Sequence, residues 1–148
     1  MIRPYTLSDR KQLVDIFILN TPKYFDQKEI QDFEAYLELH GDTYLTIEYD
    51  GEIVGGMGCY VDENDTSGRI TWIFFHPNYT GLGLGKKAVA YCLKTFTSNP
   101  LVEKSVVTTS QLAYKFFEKF GYNLIRTEKD YWGQGLDLYV MELQLNSN

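Results

Sequence analysis

A glycine-rich segment between a predicted strand and a predicted helix constrains this chain more than any other feature. The run at 70–75 is typical of a strand, and after His76-Pro77 the sequence Gly81-Leu82-Gly83-Leu84-Gly85 leads into Lys86-Lys87 and a helical pattern. Glycines at alternate positions let the backbone turn tightly and approach a ligand, while the free amides of a helix N-terminus favour an anion. The segment therefore predicts a cradle for a diphosphate. A loop that merely packs tightly is the alternative.

The spacing of the glycines argues against two well-known phosphate-binding loops. A Walker loop requires GxxxxGK followed by Ser or Thr, whereas here Thr80 lies five residues before Gly85 and Lys87 follows Lys86. A dinucleotide fingerprint requires GxGxxG after the first strand and an acidic residue at the end of the next one. Here the spacing is GxGxG, the strand lies in the middle of the chain, and the next strand ends at 108–110 without an acid.

The order of the predicted elements is βααβββαβαββ, which indicates an α/β (α+β) fold with a mixed sheet of about seven strands and helices on both faces. Ser8 is the candidate N-cap of the first helix, Asp26 and Glu29 have the spacing of a capping box before the second, and Asp50-Gly51 predicts a tight hairpin. The predicted strands are 2–5, 43–49, 52–61, 69–75, 102–109, 122–127 and 136–145, and the predicted helices are 8–20, 26–40, 83–96 and 111–120.

Length and charge restrict the function further. A chain of 148 residues without a linker or repeat is expected to form a single domain, 1–148. Its net charge of −6 argues against a nucleic-acid partner. Residues 1–74 carry 14 acidic and 6 basic side chains, whereas residues 75–148 carry 6 acidic and 8 basic ones. The second half therefore favours an anion, and the first half a cationic partner.

The cysteines and the apolar pattern suggest a compartment. Cys59 and Cys92 lie in apolar stretches without metal-site spacing, so two buried thiols in a reducing compartment and no metal are expected. The N-terminal residues lack a secretory apolar stretch, and no run of about 18 apolar residues occurs. We expect a cytoplasmic protein with no membrane partner.

Two linked motifs resemble those of the GNAT N-acetyltransferase superfamily. The segment 80–85 aligns with the family's acetyl-CoA motif, Q/R-x-x-G-x-G/A, and the spacing of the family's later motif, N-x-x-A-x-x-x-Y-x-x-x-G-F, is matched in this chain. The matching residues are Ser110, Ala113, Phe117, Gly121 and Tyr122. The resemblance implies the GNAT fold, in which strands four and five splay apart and the pantetheine arm of acetyl-CoA lies along strand four.

The resemblance also implies a set of cofactor-binding residues. Thr80 replaces the family's Gln or Arg, and Ser110 replaces its Asn, so both present shorter polar groups. The implied set is Ile73, Phe74, Phe75, Thr80, Gly81, Leu82, Gly83, Leu84, Gly85, Lys86, Ser110 and Phe117.

The proton-transfer groups depart from the family pattern. Phe117 replaces the tyrosine that protonates the departing thiolate in many relatives, and phenylalanine has no proton to donate. Tyr114, one helical turn earlier, is the nearest substitute, and ring packing is its alternative role. His76 is a candidate for proton handling or for capping at the end of the strand, and Glu48 and Glu52 are further candidates for deprotonating an amine.

The acceptor side is expected to be aromatic. In the family geometry Tyr24, Phe25, Tyr36 and Trp72 would surround the acceptor, and the loop 131–137 would either close over it or form a plain hairpin connection. The resemblance implies transfer of an acetyl group from acetyl-CoA to a primary amine of a small molecule or peptide, by a monomer or homodimer. The alternative is a catalytically weak acyl-CoA-binding sensor or scaffold.

Overall fold

A seven-stranded mixed sheet organises the chain, and the computed structural model describes residues 1–145 of it. The strands lie in the order β1-β2-β3-β4-β5-β7-β6, and every neighbouring pair is antiparallel except β4 and β5, which are parallel. The strands are β1 Ile2–Pro4, β2 Tyr44–Tyr49, β3 Glu52–Asp62, β4 Ser67–Phe75, β5 Lys104–Thr109, β6 Asn123–Gly133 and β7 Leu136–Gln144. The helices are α1 Arg10–Leu19, α2 Glu29–His40, α3 Leu84–Thr97 and α4 Tyr114–Glu118.

The predicted element order and fold class are confirmed, and the boundaries differ in places. The fourth helix is much shorter than predicted because the residues after Ser110 form a turn, in which the amides of Ala113 and Tyr114 both donate to the Ser110 carbonyl. Ser8 is not the cap of the first helix: it lies inside a short 3-10 turn, and the Thr6 amide donates to Asp9 Oδ2 at 2.9 Å.

Two local signals in the sequence correctly predict local structure. Asp50 and Gly51 both have positive φ, 51° and 80°, which is the backbone that a two-residue hairpin of this twist requires. The Asp26 amide donates to Glu29 Oε2 at 2.8 Å, which is one of the two hydrogen bonds of the predicted capping box. The Asp26 carboxylate accepts from the Lys28 amide rather than from Glu29, and α2 begins at Glu29. Within residues 1–145, no helix has the length and apolar character needed to span a membrane.

Each face of the sheet has its own hydrophobic core. The helices α1 and α2 pack on one face around Phe17, Phe33 and Phe74, and α3 and α4 pack on the other around Met57, Phe96 and their neighbours. Successive side chains of a strand point to opposite faces, so the sheet lets β4 contribute to both cores. Helices on both faces were predicted, and this is what the structure shows.

A buried ion pair ties the start of α1 to the edge of the sheet. Arg3 donates to both carboxylate oxygens of Asp9, at 2.8 and 2.9 Å, and Asp9 also accepts from the Thr6 amide and from Thr46 Oγ1. Arg3 in turn donates to Glu48 at 3.1 Å. The hydrogen bonds from Arg3 are the main reason why the pKa of Asp9 falls to about 2, and the Thr6 and Thr46 donors add to the effect.

Candidate active site

The predicted splay between β4 and β5 is present. The two strands pair only from Ser67↔Lys104 to Ile70↔Val107, so residues 71–75 have no partner in β5. Thr108, which follows the last residue of β5 that pairs with β4, is exposed. A gap therefore opens in the middle of the sheet, at the carboxyl ends of its two parallel strands, where ligands bind in many open sheets.

A β-bulge in β4 coincides with the start of the gap. Against β3, Thr71 pairs with Gly58 and Phe74 with Gly56, so β4 has one residue more than its partner over this stretch. Trp72 lies in the bulge with φ of 47°, a conformation that costs free energy for a residue with a side chain. The buried Tyr44 hydroxyl donates to the Trp72 carbonyl at 2.7 Å and so supports the bulge.

The glycine-rich loop presents its backbone to the same end of the sheet. Gly81 and Gly83 have φ of 82° and 74°, and a side chain at either position would meet open space rather than protein. Gly85 instead packs against the Phe116 ring, which holds the start of α3 close to α4. In the described chain, the amides of residues 81–86 donate to no protein acceptor, and the first bond of the helix runs from Lys87 to Gly83.

These free amides fit a pyrophosphate. They lie at the positive end of a 14-residue helix, with the exposed lysines Lys86 and Lys87 beside them. Thr80 is exposed next to the loop, and Leu82 is also exposed. The residues present can therefore hold an anionic group through backbone donors without a further charged side chain. In residues 1–145 no cluster of His, Cys, Asp and Glu suited to a metal ion is found.

The other predicted cofactor residues divide into two groups. Ile73 and Phe75 lie on the α3 side of β4, whereas the Phe74 side chain is buried in the α1 and α2 core. Leu84 and Phe117 are buried in the α3 core, where Phe117 packs edge-on against Phe116 and Tyr122. For Phe74 and Phe117, therefore, side-chain contact with a ligand would require movement of a packed ring.

Ser110 orders the loop that borders the gap. Its hydroxyl accepts from the Leu112 amide at 3.2 Å, and its side chain is only 6% exposed. Ser110 thus does part of what a longer asparagine would do, since both can accept a hydrogen bond from the backbone two residues later. Its role toward the cofactor stays a prediction.

The candidate proton-transfer residues lie in different surroundings. Tyr114 packs on the Tyr139 ring at 4.9 Å between centroids and is half-buried. His76 accepts from the Asn78 amide through Nδ1 at 3.1 Å, so it caps the turn after β4, and only Nε2 remains for other partners. Glu48 lies on β2, two strands away from β4, and is paired with Arg3 of β1. Glu52 is exposed beside the hairpin turn.

Three of the four predicted acceptor-side aromatic residues come together. Trp72 stacks on Phe25 at 6.4 Å and lies 6.1 Å from the Tyr36 ring. The Tyr36 hydroxyl is hydrogen-bonded to Thr43 at 2.6 Å. Tyr24 is separate, since it is 42% exposed with the Lys23 ammonium over its ring. Phe25, Tyr36 and Trp72 therefore form one aromatic cluster on the α2 side of the sheet.

The hairpin between β6 and β7 braces the far side of the gap. Trp132 Nε1 donates to the Thr109 carbonyl at 3.0 Å, and the Gln111 amide bridges to the hairpin through the Gly135 carbonyl at 2.7 Å and the Asp137 amide at 2.9 Å. The sequence singles out the loop 131–137, but nothing in its pattern reveals these partners.

Sequence reasoning assigns Glu29 only a capping role, yet it is a buried carboxyl group beside this site. It is 6% exposed, and burial raises its pKa to about 7. The nearby Asp26 and Asp32 carboxylates add to the rise, while the Asp26 amide and Lys28 oppose it. The signal in the sequence is an acid four residues before Phe33 on the helix, which places both on the same face.

Comparison with known proteins assigns the fold to one family. The sequence profile of the Acetyltransferase (GNAT) family matches residues 10–122. Among curated proteins, no sequence matches this chain. Among solved structures, the ribosomal-protein-alanine N-acetyltransferase from Brucella melitensis is similar at 18% identity and a TM-score of 0.76, covering 98% of this chain and 99% of that one.

Two other solved structures have the same fold. An aminoglycoside 6'-N-acetyltransferase complexed with coenzyme A has 14% identity and a TM-score of 0.76, covering 100% of this chain and 98% of that one. A variant of the spermidine N-acetyltransferase from Vibrio cholerae has 12% identity and a TM-score of 0.74, covering 98% and 93%. The family profile, the splayed strands and the glycine loop agree: the chain belongs to the GNAT family of acetyltransferases.

Proposed function

We propose that this protein is an N-acetyltransferase that moves an acetyl group from acetyl-CoA directly to a primary amine. The observation that carries the proposal is the row of unpartnered amides at 81–86 beside the gap between β4 and β5. The amides and the α3 N-terminus would hold the pyrophosphate, and the unpaired edge at 73–75 would bind the pantetheine arm. Such an arrangement delivers a thioester to the acceptor face of the gap.

The proposed acetyl transfer requires little catalytic assistance from side chains. A thiol with a pKa of about 8.5 is a good leaving group, so the reaction proceeds with weak acid assistance. A backbone amide on the unpaired part of β4 can stabilise charge on the carbonyl oxygen. In this proposal Tyr114 donates a proton to the thiolate, and His76 assists proton transfer through Nε2.

The acceptor in this proposal is a cationic amine on a small molecule or a peptide. Residues 1–74 supply α2 and the loop before it, and that half has 14 acidic and 6 basic residues. An acidic surround attracts an ammonium group. Relatives of this fold are named for a ribosomal protein, an aminoglycoside and spermidine, so all three chemistries belong in an acceptor screen.

Burial of Phe117 favours a second candidate function, an acyl-CoA-binding sensor with weak catalysis. The ring at this position is 3% exposed and has no proton to donate. The two candidates separate in one assay, in which release of free CoA from acetyl-CoA is followed with spermidine, an aminoglycoside, an alanine-initiated peptide and a lysine-containing peptide. Amine-dependent thiol release supports the enzyme. Tight acetyl-CoA binding without thiol release for any amine supports the sensor.

Gly83→Glu tests the cradle itself. A carboxylate in the loop repels a pyrophosphate, and the positive φ of 74° resists a side chain, so we expect acetyl-CoA affinity to fall at least 100-fold in calorimetric titration. Gly51→Glu is the matched control, because Gly51 has φ of 80° and open space in the distant hairpin. Equal affinities in the two variants would contradict the proposed phosphate site.

A further inference from the structure

An ammonium group must lose a proton before it can attack a thioester. The candidates that sequence reasoning offers for this step are poorly placed. Glu48, on β2, is engaged by Arg3, and Glu52 is exposed at the β2–β3 hairpin, with β4 between its strand and the gap. His76 caps the turn after β4 through Nδ1 and has only Nε2 left, which in this proposal assists later proton transfer and does not take the first proton. The site therefore needs a proton acceptor from another element.

The neighbours of Glu29 along the chain contact elements on both sides of the gap between β4 and β5. On one side of it, three residues earlier, Asp26 lies directly against Gly133 at the end of β6. On the other side, one helical turn later, Phe33 packs on Trp72 of β4 at 5.5 Å between ring centroids. Glu29, Phe33 and Leu37 form the buried stripe of α2 that faces the sheet. Glu29 thus points between β4 and the β6–β7 hairpin, where the two parallel strands separate.

The carboxylate of Glu29 has one committed oxygen and one available oxygen. Oε2 accepts from the Asp26 amide at 2.8 Å. Within residues 1–145, Oε1 has no hydrogen-bond or ion-pair partner, and no polar side-chain atom is both sealed from solvent and unpartnered. Oε1 is therefore reachable by a small polar group, although the residue as a whole is 6% exposed.

The surroundings of Glu29 suit a base that works near neutral pH. Its charged neighbours are Asp26 and Lys28 in the preceding loop and Asp32 on the same helix, while the side chain that β4 presents to this end of α2 is the uncharged Trp72. Burial raises the pKa of Glu29 to about 7. A general base works best when its pKa lies near the operating pH, and this value lies near neutral pH. Two further carboxylates nearby attract a cationic acceptor.

We propose that Glu29 is the group that deprotonates the acceptor amine. This inference rests on the proposed function. The Glu29 carboxylate takes a proton from R–NH₃⁺, giving R–NH₂ and the neutral carboxyl group. The amine nitrogen then forms the bond to the acetyl carbon as the carbon–sulfur bond breaks. Tyr114 protonates the CoA thiolate, and the amine's second proton restores the Tyr114 hydroxyl. Glu29 returns its proton to water, so the net products are the amide, CoA thiol and one proton.

Glu29→Gln tests the inference, because the Gln carbonyl keeps the bond to the Asp26 amide but accepts no proton. With whichever amine of the screen the wild type acetylates, we expect kcat/KM at pH 7 to fall about 100-fold. The limb of the pH profile near pH 7 should disappear, and the defect should shrink at a pH where the amine is already neutral. Acetyl-CoA affinity should change less than threefold. Glu38→Gln makes the same chemical change at an exposed position of the same helix, and its kcat/KM should fall less than threefold.

Glu29→Asp provides a second measurement that does not depend on the folding of the Gln variant. Because Asp has a carboxylate on a shorter side chain, this variant should keep the limb of the pH profile near pH 7. Its kcat/KM should lie between those of the wild type and Glu29→Gln. If the wild type is active and Glu29→Gln has the same pH profile, the role of Glu29 is overturned and the proposed function stays intact. A wild type that acetylates no amine of the screen would overturn both.

Discussion

Two buried carboxyl groups open the first two helices of this protein, and their pKa values move in opposite directions. Asp9 and Glu29 both follow a capping-box pattern, in which the amide three residues earlier donates to the carboxylate. Asp9 also has the Arg3 guanidinium and the Thr46 hydroxyl, and its pKa falls to about 2. Glu29 has no such cation bonded to it in the described chain, and its pKa rises to about 7.

The difference shows what separates a structural carboxylate from one that is available for chemistry. Burial raises the pKa of any acid, and only hydrogen bonds and opposite charge reverse that effect. Around Asp9 five donor contacts fill both oxygens, so ionisation stabilises the fold. Around Glu29 the described residues supply one donor, so ionisation costs stability and the second oxygen has no hydrogen-bond partner among them.

The largest expected effect comes from breaking the Asp9 network. Asp9→Asn leaves the Arg3 guanidinium without its main partner, so the free energy of unfolding should fall by about 3 kcal/mol at pH 7 in urea titrations. The wild type should lose this contribution as pH falls from about 4 through the folded pKa near 2, because the folded-state pKa is lowered. Asp15→Asn, which removes an exposed pair with Lys11, should cost less than about 0.5 kcal/mol. A cost for Asp9→Asn no greater than that of Asp15→Asn would contradict the comparison.

An effect of the opposite sign is expected at Glu29. Its folded-state pKa is raised, so the stability it contributes is fully present below the unfolded value of about 4.5 and is lost as pH rises through about 7. Between pH 5 and pH 8 the wild type should lose about 2 kcal/mol more unfolding free energy than Glu29→Gln, which has no proton to release. Thermal unfolding across this range measures the difference. Parallel pH curves for the two proteins would show that Glu29 ionises as an ordinary exposed acid.

A smaller change sharpens the account of Asp9. Thr46→Val replaces a fully buried hydroxyl by a methyl group and removes one hydrogen bond to Asp9, at a cost of about 1 kcal/mol. The pKa of Asp9, followed by NMR titration of its carboxyl carbon, should rise toward its ordinary value. Thr127→Val on the exposed strand β6 serves as the control. If the Asp9 titration did not move, Arg3 and the amide would suffice to explain its pKa.

Much of the fold is predictable from local signals. The alternation of strand and helix patterns, the hairpin at Asp50-Gly51 and the glycine loop each depend on residues within a few positions of one another, and all are correctly predicted. The splay of β4 and β5 is predicted through the resemblance to the GNAT family, which rests in part on the glycine-rich loop. The bulge at Trp72 is not visible in the sequence, because Tyr44, whose hydroxyl supports it, lies 28 residues away along the chain.

The predicted acceptor side depends on contacts between residues far apart in the chain, and these contacts are not predictable from the sequence pattern. The buried stripe of α2 begins at Glu29, a charged residue, because packing against β4 sets the rotation of the helix. A polar residue on an apolar stripe is hard to recognise without the partner surface. The bonds from Trp132 and Gln111 span 23 to 26 residues and are equally hidden.

The brace between Gln111 and the β6–β7 hairpin has a consequence for exchanging parts between relatives. The hairpin lies beyond residue 122, where the family profile ends, while the glutamine that fastens it lies within the matched region. A chimera that imports residues 123–145 from a relative therefore receives the β6–β7 hairpin without the glutamine that holds it. Transplanting position 111 together with the hairpin keeps the two hydrogen-bonding partners matched, so the position of the hairpin in such hybrids depends on both segments.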